Sequence, residues 1–516
     1  MNCSSLESIT IPNGVTNIGE YAFYGCSSLT SVTIPNGVSK IADRTFSGCE
    51  KLYSITLPES ITEIEGKAFQ NCSSLTNVTI PNNVANIGSN AFEGCSSLTS
   101  IVIPEGVRDI EDRTFYGCES LTSVSIPTSV SNISEYAFYG CKSLTDIIIP
   151  DNMIWIRKEA FRGCSSLVSI TIPEKVTVLD YSDNVFDSVF ADCTRLLSIN
   201  WNSNSPLSIS KYFTSTSNTA NRLFYINSDA EVIDDENEDI RPIIIRNGQI
   251  DEINLFDNQP LYIPEPFTAQ HISYTHNFSK ETQRGVASGW ESLVLPFDVQ
   301  SISCDSVEIV PFGANAVGYS KFWLAEVNPE TGFTAATSIE ANKPYILAMP
   351  NSTEYGSGNI TGSVTFSATN VTVQPTSNEK TECAAFALTP CWSHINDTDS
   401  TYNEIYVLND STYTAPNQTV YPAGSVFVRS LRPVRPFEAY YTPANGAGVK
   451  EFFPISEMEN GIRPTPNPSR EGRGEASAVY DLSGRRRRRS LSPSPSPIRE
   501  GRAGVYIKDG RKIMVK

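Results

Sequence analysis

The sequence predicts a mainly β protein: a solenoid of 23-residue coils with a parallel sheet, then an all-β sandwich-like domain and a small β segment at the C-terminus. Three observations predict it. Cys3, Cys26, Cys49, Cys72, Cys95, Cys118, Cys141 and Cys164 stand 23 residues apart without a slip. A period of this length belongs to stacked coils, each of which leaves its apolar face bare until a neighbour covers it. Proline and phenylalanine columns keep the same beat, and beyond residue 246 short β-type runs separated by Asn, Gly, Pro and Ser replace it.

Within a coil, Leu29, Val32 and Ile34 have the spacing of three side chains facing inward from a short strand, so successive coils are expected to pair as a parallel sheet. Pro12, Pro35, Pro58, Pro81, Pro104, Pro127, Pro150 and Pro173 follow the last inward position, where a missing N–H ends the ladder. A second apolar pair such as Val38 and Ile41 leads to a phenylalanine. Phe23, Phe46, Phe69, Phe92, Phe115, Phe138, Phe161 and Phe190 are predicted to stack in one buried column. A glycine before most of the cysteines suits a tight bend.

Four segments follow: the solenoid over 1–201, with eight to nine coils; a cap and junction over 202–246; the sandwich-like domain over 247–460; and a tail over 461–516. Cys193 follows Cys164 by 29 residues, which places a six-residue loop between Leu179 and Phe190, either a binding feature or a tolerated surface loop. The acidic run 234–239 reads as a solvated loop, lacking the glycine-punctuated spacing of a calcium loop.

The C-x-x-L-x-x-[IV]-x-I-P-x-x-V-x-x-I and A-F-x-x-C segments resemble the leucine-rich repeats of BspA-like surface proteins of Bacteroidetes, which implies a leucine-rich repeat solenoid associated with adhesion. Tail residues 478–485, with Asp481, Gly484 and Arg485, and 503–516, with Gly504, Tyr506, Gly510 and Lys516, resemble two halves of the C-terminal sorting domain of the type IX secretion system. That likeness implies the secretion machinery as a partner. The halves are pushed apart by a Pro/Ser/Arg-rich segment; its phrase 493–502 repeats 464–473, which predicts a disordered insertion. The stretch around Trp290, with Lys343, Pro344 and Tyr345 downstream, looks like a domain that accompanies these repeats.

Charge narrows the partners. Asp and Glu number 57 against 39 Lys and Arg. The last 54 residues hold 14 Lys/Arg against 5 Asp/Glu, leaving 25 against 52, a net of −27, in residues 1–462. Such a body repels nucleic acid. No run of 18 apolar residues predicts a membrane-spanning helix. The chain opens at Met1-Asn2-Cys3, on the cysteine of a coil, so a signal peptide and further coils are expected upstream and the location is expected to be extracellular or at the outer-membrane surface.

No nucleophile elbow, phosphate loop or His-x-x-x-His pair is present, and the three histidines do not cluster with cysteine, so neither enzyme activity, a cofactor nor a metal is expected. The cysteine column reads as inert packing. Cys383 and Cys391 suit either a bridge or two buried thiols; Cys304 stands apart. Trp290 reads as a core anchor and the Tyr440-Tyr441 pair as exposed. Asp-Ser/Thr motifs resembling a Bacteroidetes O-glycosylation pattern mark Ser188, Ser306, Ser400 and Ser411.

What remains is surface. The outward strand positions are Ser8 and Thr10, Ser31 and Thr33, Ser54 and Thr56, Asn77 and Thr79, Ser100 and Val102, Ser123 and Ser125, Asp146 and Ile148, and Ser169 and Thr171. This neutral hydroxyl ladder is the expected face for an extracellular protein or glycan ligand. The alternative is a carbohydrate-binding or carbohydrate-processing protein acting through 247–460.

Overall fold

The computed structural model describes residues 3–176, 189–208, 221–226, 229–233, 452–455, 504–508 and 511–515, together with 243–444 apart from 284, 285, 287, 315–317, 330, 331 and 384. The expected loop between Leu179 and Phe190, Ser188, the acidic run and the Pro/Ser/Arg insertion lie outside the described residues.

The protein is mainly β, with a solenoid of about nine turns and further β sheets toward the C-terminus. Ser31–Thr33 pairs in parallel with Ser54–Thr56, and Ser100–Val102 with Ser123–Ser125, each residue opposite its counterpart 23 positions on. Single bridges from Ser8 to Ser31 and from Ser54 to Asn77 extend the same register. Proline ends each strand in a turn closed by a hydrogen bond from the residue three positions on, as from Val38 N–H to the Pro35 carbonyl at 3.1 Å.

Across the coil runs a second, narrower parallel ladder that sequence reading did not anticipate. It joins Lys40–Ile41, Glu63–Ile64 and Asn86–Ile87, and then Asp109–Ile110, Asn132–Ile133 and Trp155–Ile156. Between the ladders, Leu29, Val32, Ile34, Val38 and Ile41 and most of their equivalents are buried in one continuous core, with Leu57, Ile126 and the first coil's Leu6, Ile11 and Val15 half-buried against it and Ile9 exposed. The phenylalanines from Phe23 to Phe190 stack with centroids 5.2–5.7 Å apart and planes within 11° of parallel. The glycines before cysteine, Gly25, Gly48, Gly94, Gly117, Gly140 and Gly163, have φ of 66–77°, the left-handed region that glycine enters at little cost.

The parallel ladder runs on past residue 201. Ser169–Ile172 pairs with Ser198–Trp201, then Leu223–Ile226, then Ile243–Arg246, all in parallel. The segment expected as cap and junction therefore carries two more strands of the array's sheet. Asn247 and Gly248, both at positive φ, then reverse the chain into Gln249–Leu255, the Asn-Gly turn that matches strand twist. From there the same sheet continues through Phe267–Asn277 and Ser363–Val373 to reach thirteen strands. Repeat array and C-terminal region share one sheet.

A six-stranded sheet including Phe386–Pro390, Tyr406–Leu408, Val426–Arg429 and Ala439–Pro443 completes the C-terminal region. Trp290, Trp323, Phe333, Phe386, Tyr406, Phe427 and Tyr441 form the core between it and the long sheet. Tyr441, expected to be exposed, is buried there because the strand's alternation turns it inward, while Tyr440 is half-buried. Gly504–Lys508 and Arg511–Val515 form an antiparallel hairpin.

Candidate interaction face of the repeat array

Strand alternation sends Val32, Ile55 and Ile101 inward and leaves their neighbours on the outer surface. Thr10, Thr33, Ser54, Thr56, Asn77, Thr79, Ser100, Ser123, Ser125, Asp146 and Thr171 are exposed, and Ser31 and Ser169 are half-buried. The structure therefore gathers every predicted outward residue on one face, in two files along the solenoid axis.

A third file, one residue earlier, behaves differently. The hydroxyl of Thr30 donates to the Glu7 carbonyl at 3.1 Å, Thr99 to Thr76 at 3.2 Å, and Thr122 to Thr99 at 3.0 Å. These hydroxyls brace neighbouring coils. No such internal side-chain bond engages Thr33, Ser54, Thr56, Thr79, Ser100 or Ser123 among the described residues, so their polar groups face solvent.

The cysteine column belongs to the same buried core. Each buried thiol from Cys49 to Cys193 donates to a phenylalanine carbonyl of the adjacent coil, as Cys72 does to Phe46 at 3.1 Å and Cys118 to Phe92 at 3.2 Å. Burial pushes the thiols of Cys49, Cys95 and Cys193 up to about 12, and those of Cys72, Cys118, Cys141 and Cys164 well above the ordinary value. Such groups supply no thiolate at neutral pH. All twelve cysteines are free, Cys304, Cys383 and Cys391 included.

Along one edge of the face, the post-proline turns carry Glu59, Glu105, Asp151 and Glu174, all exposed. The edge opens into a cleft of about 730 Å³ lined by Asp151, Thr171, Pro173, Glu174, Lys175, Asn202, Asn204 and Asp229.

Trp290 is fully buried, as expected of a core anchor. Near it is a cluster that sequence reading missed. His276 bonds Asp257 through Nδ1 at 2.8 Å and Glu291 through Nε2 at 3.3 Å. Tyr274 donates to Asp257 at 2.6 Å, and Lys280 stands 3.9 Å from Glu291. Burial opposes charge on His276, but hydrogen bonds from the imidazole to Asp257 and Glu291 outweigh it and hold the pKa at about 9. Burial likewise opposes charge on both carboxylates, but His276, joined by Tyr274 and the Asn258 backbone at Asp257 and by Lys280 at Glu291, more than reverses it, leaving them below the ordinary range. With both ring nitrogens bonded to carboxylates, the imidazole has no free nitrogen for general-base work. It ties Phe267–Asn277 to Glu291–Leu293.

Ser306 is exposed at the tip of a two-residue turn, and Asp305 and Ser306 both have positive φ. Ser400 and Ser411 are also exposed.

Residues 1–119 and 86–220 match, in six copies, the family described as BspA type leucine-rich repeat region. The first 220 residues are a BspA-type leucine-rich repeat region. No curated protein matches the chain. Among solved structures, a leucine-rich repeat protein from Bacteroides ovatus is 25% identical over 50% of this chain and 70% of its own, with a TM-score of 0.38. The T. pallidum leucine-rich repeat protein is 32% identical over 27% and 78%, with a TM-score of 0.24. A leucine rich cell surface protein from Faecalibacterium prausnitzii is 29% identical over 44% and 74%, with a TM-score of 0.28. The BspA-type region fits a protein-interaction role. Among the described residues, no helix is long and apolar enough to cross a membrane.

Proposed function

We propose that this is a non-enzymatic surface or secreted interaction protein that binds an extracellular protein or glycan, in adhesion to host or bacterial ligands, through the outer face of its BspA-type region. One observation carries the reading: exposed, internally unbonded side chains stand in fixed register on a sheet whose interior is a close-packed column of phenylalanine and inert thiol. A rigid periodic surface loses little entropy on binding. The competing carbohydrate role for 247–460 lacks an indole platform, because Trp290, Trp323 and Trp392 are all buried; of the five tryptophans only Trp155, on the repeat array, is exposed.

The outward location rests on the sorting-domain likeness of the tail. Ser306, Ser400 and Ser411 would carry sugar in such a setting, and Ser188 shares their motif.

The test uses the intact, labelled protein on immobilised basement-membrane extract and on bacterial cells. Saturable retention that T33R/T56R/T79R abolishes, with the thermal midpoint unchanged, supports the reading. Retention indifferent to these substitutions refutes it.

A further inference from the structure

Two large apolar side chains interrupt the hydroxyl face. Val102 is 67% exposed and Ile148 is 76% exposed. Both stand on the file of Thr33, Thr56 and Thr79, with Ser125 between them, opposite Val102 in register. Two coil spacings put the branched side chains about 10 Å apart. Threonine serves the fold equally well on this file, having the same β-branched shape and strand preference. The extra methyl surface therefore adds nothing to the coil; it adds something for a partner to bury.

Charge indicates which partner. From Thr30 to Thr171 the three outward columns hold no Lys or Arg, and their single carboxylate, Asp146, sits beside Ile148. Along the adjoining edge, Glu59, Glu105, Asp151 and Glu174 enter no ion pair among the described residues. In those turns Lys175 is the one cation. One coil beyond Ile148, at Thr171, the cleft of about 730 Å³ is lined by three carboxylates, Asp151, Glu174 and Asp229, against the single cation Lys175. A second copy of this chain would set acidic edge against acidic edge.

We infer that the C-terminal half of this face, centred on Val102 and Ile148 and bounded by Glu105, Asp151 and Glu174, docks a polypeptide that presents lysine or arginine beside an apolar side chain. Apolar burial supplies affinity there, and the carboxylate edge supplies orientation and selectivity. The inference deepens the repeat-face reading and rests on it.

The experiment measures fluorescence anisotropy of labelled nine-residue peptides, Val alternating with Lys, Ser or Glu, titrated with the intact protein. The Lys/Val peptide is expected to bind at least about tenfold tighter than the other two. V102T/I148T, which restores the threonine file and keeps the charge, should weaken it about tenfold with an unchanged thermal midpoint. E105Q/D151N/E174Q should weaken it and flatten its salt dependence, whereas E308Q/E379Q/E404Q, removing three exposed carboxylates elsewhere, should leave affinity within about twofold. Equal losses from the two carboxylate triples, an indifferent V102T/I148T, or equal binding of the Ser/Val peptide overturns the inference. If the peptides fail while matrix retention still responds to T33R/T56R/T79R, this docking site falls and the repeat-face reading stands. Retention indifferent to T33R/T56R/T79R removes both.

Discussion

The thiol of Cys95 donates to the backbone carbonyl of Phe69, one coil back from the Phe92 that begins its own turn, at 3.2 Å. That contact repeats along the array and couples the cysteine and phenylalanine columns. The two columns therefore form one device, in which the aromatic fills the core and the sulfur closes the bend above it.

Cys95→Ala should lower stability by about 1–2 kcal/mol, read as a shift in urea midpoint, through the lost volume and the lost bond. A thiol reagent added to the intact protein should react at exposed Cys3, slowly at half-buried Cys383, and with the buried remainder only after unfolding. Rapid native-state labelling of the column would contradict its inert role.

Lys67→Gly should stabilise the protein. Tyr21, Arg44, Lys67, Asn90, Arg113, Tyr136 and Glu159 form a column with φ of 50–61°, left-handed backbone held without glycine. Relief of that conformation is worth about 0.5–1 kcal/mol at Lys67, which joins no ion pair among the described residues. A lower thermal midpoint for the variant would show that the lysine packs against its neighbours more than it strains the bend.

The His276 cluster sets a pH window for the C-terminal region. The folded pKa, about 9, exceeds the ordinary 6.5, so protonated His276 stabilises fully below about pH 6.5 and the contribution is lost as pH rises toward 9, about 3 kcal/mol in all. Asp257 and Glu291 lie below their ordinary range, so their contribution is present above it and lost on acidification. Denaturation followed by tryptophan fluorescence between pH 5 and 10 should show an alkaline decline that His276→Gln abolishes. Superimposable profiles for the two proteins would remove the cluster from the account.

Legibility followed repetition. Cys26, Leu29, Ile34, Pro35 and Phe46 could be placed from sequence because a coil of fixed shape makes the same packing demand every 23 residues. Leu223–Ile226 and Ile243–Arg246 could not, since the steps from Ser198 to Leu223 and on to Ile243 are 25 and 20 residues; hydrogen-bond register survives a change of connection length that erases a sequence period. Asp257, His276 and Glu291 follow no period at all. They meet only because strands distant in sequence pair side by side.

By itself the sequence determined the coil, its interior columns and the outward identity of the hydroxyl files, all local consequences of side-chain volume and strand alternation. Tertiary structure alone decided that array and C-terminal region share a thirteen-stranded sheet, that Tyr441 turns inward, and that Asp151, Glu174 and Asp229 meet at one cleft beside Thr171. Those are matters of which strands meet. Backbone hydrogen bonding permits many partners, and burial of the whole chain selects among them.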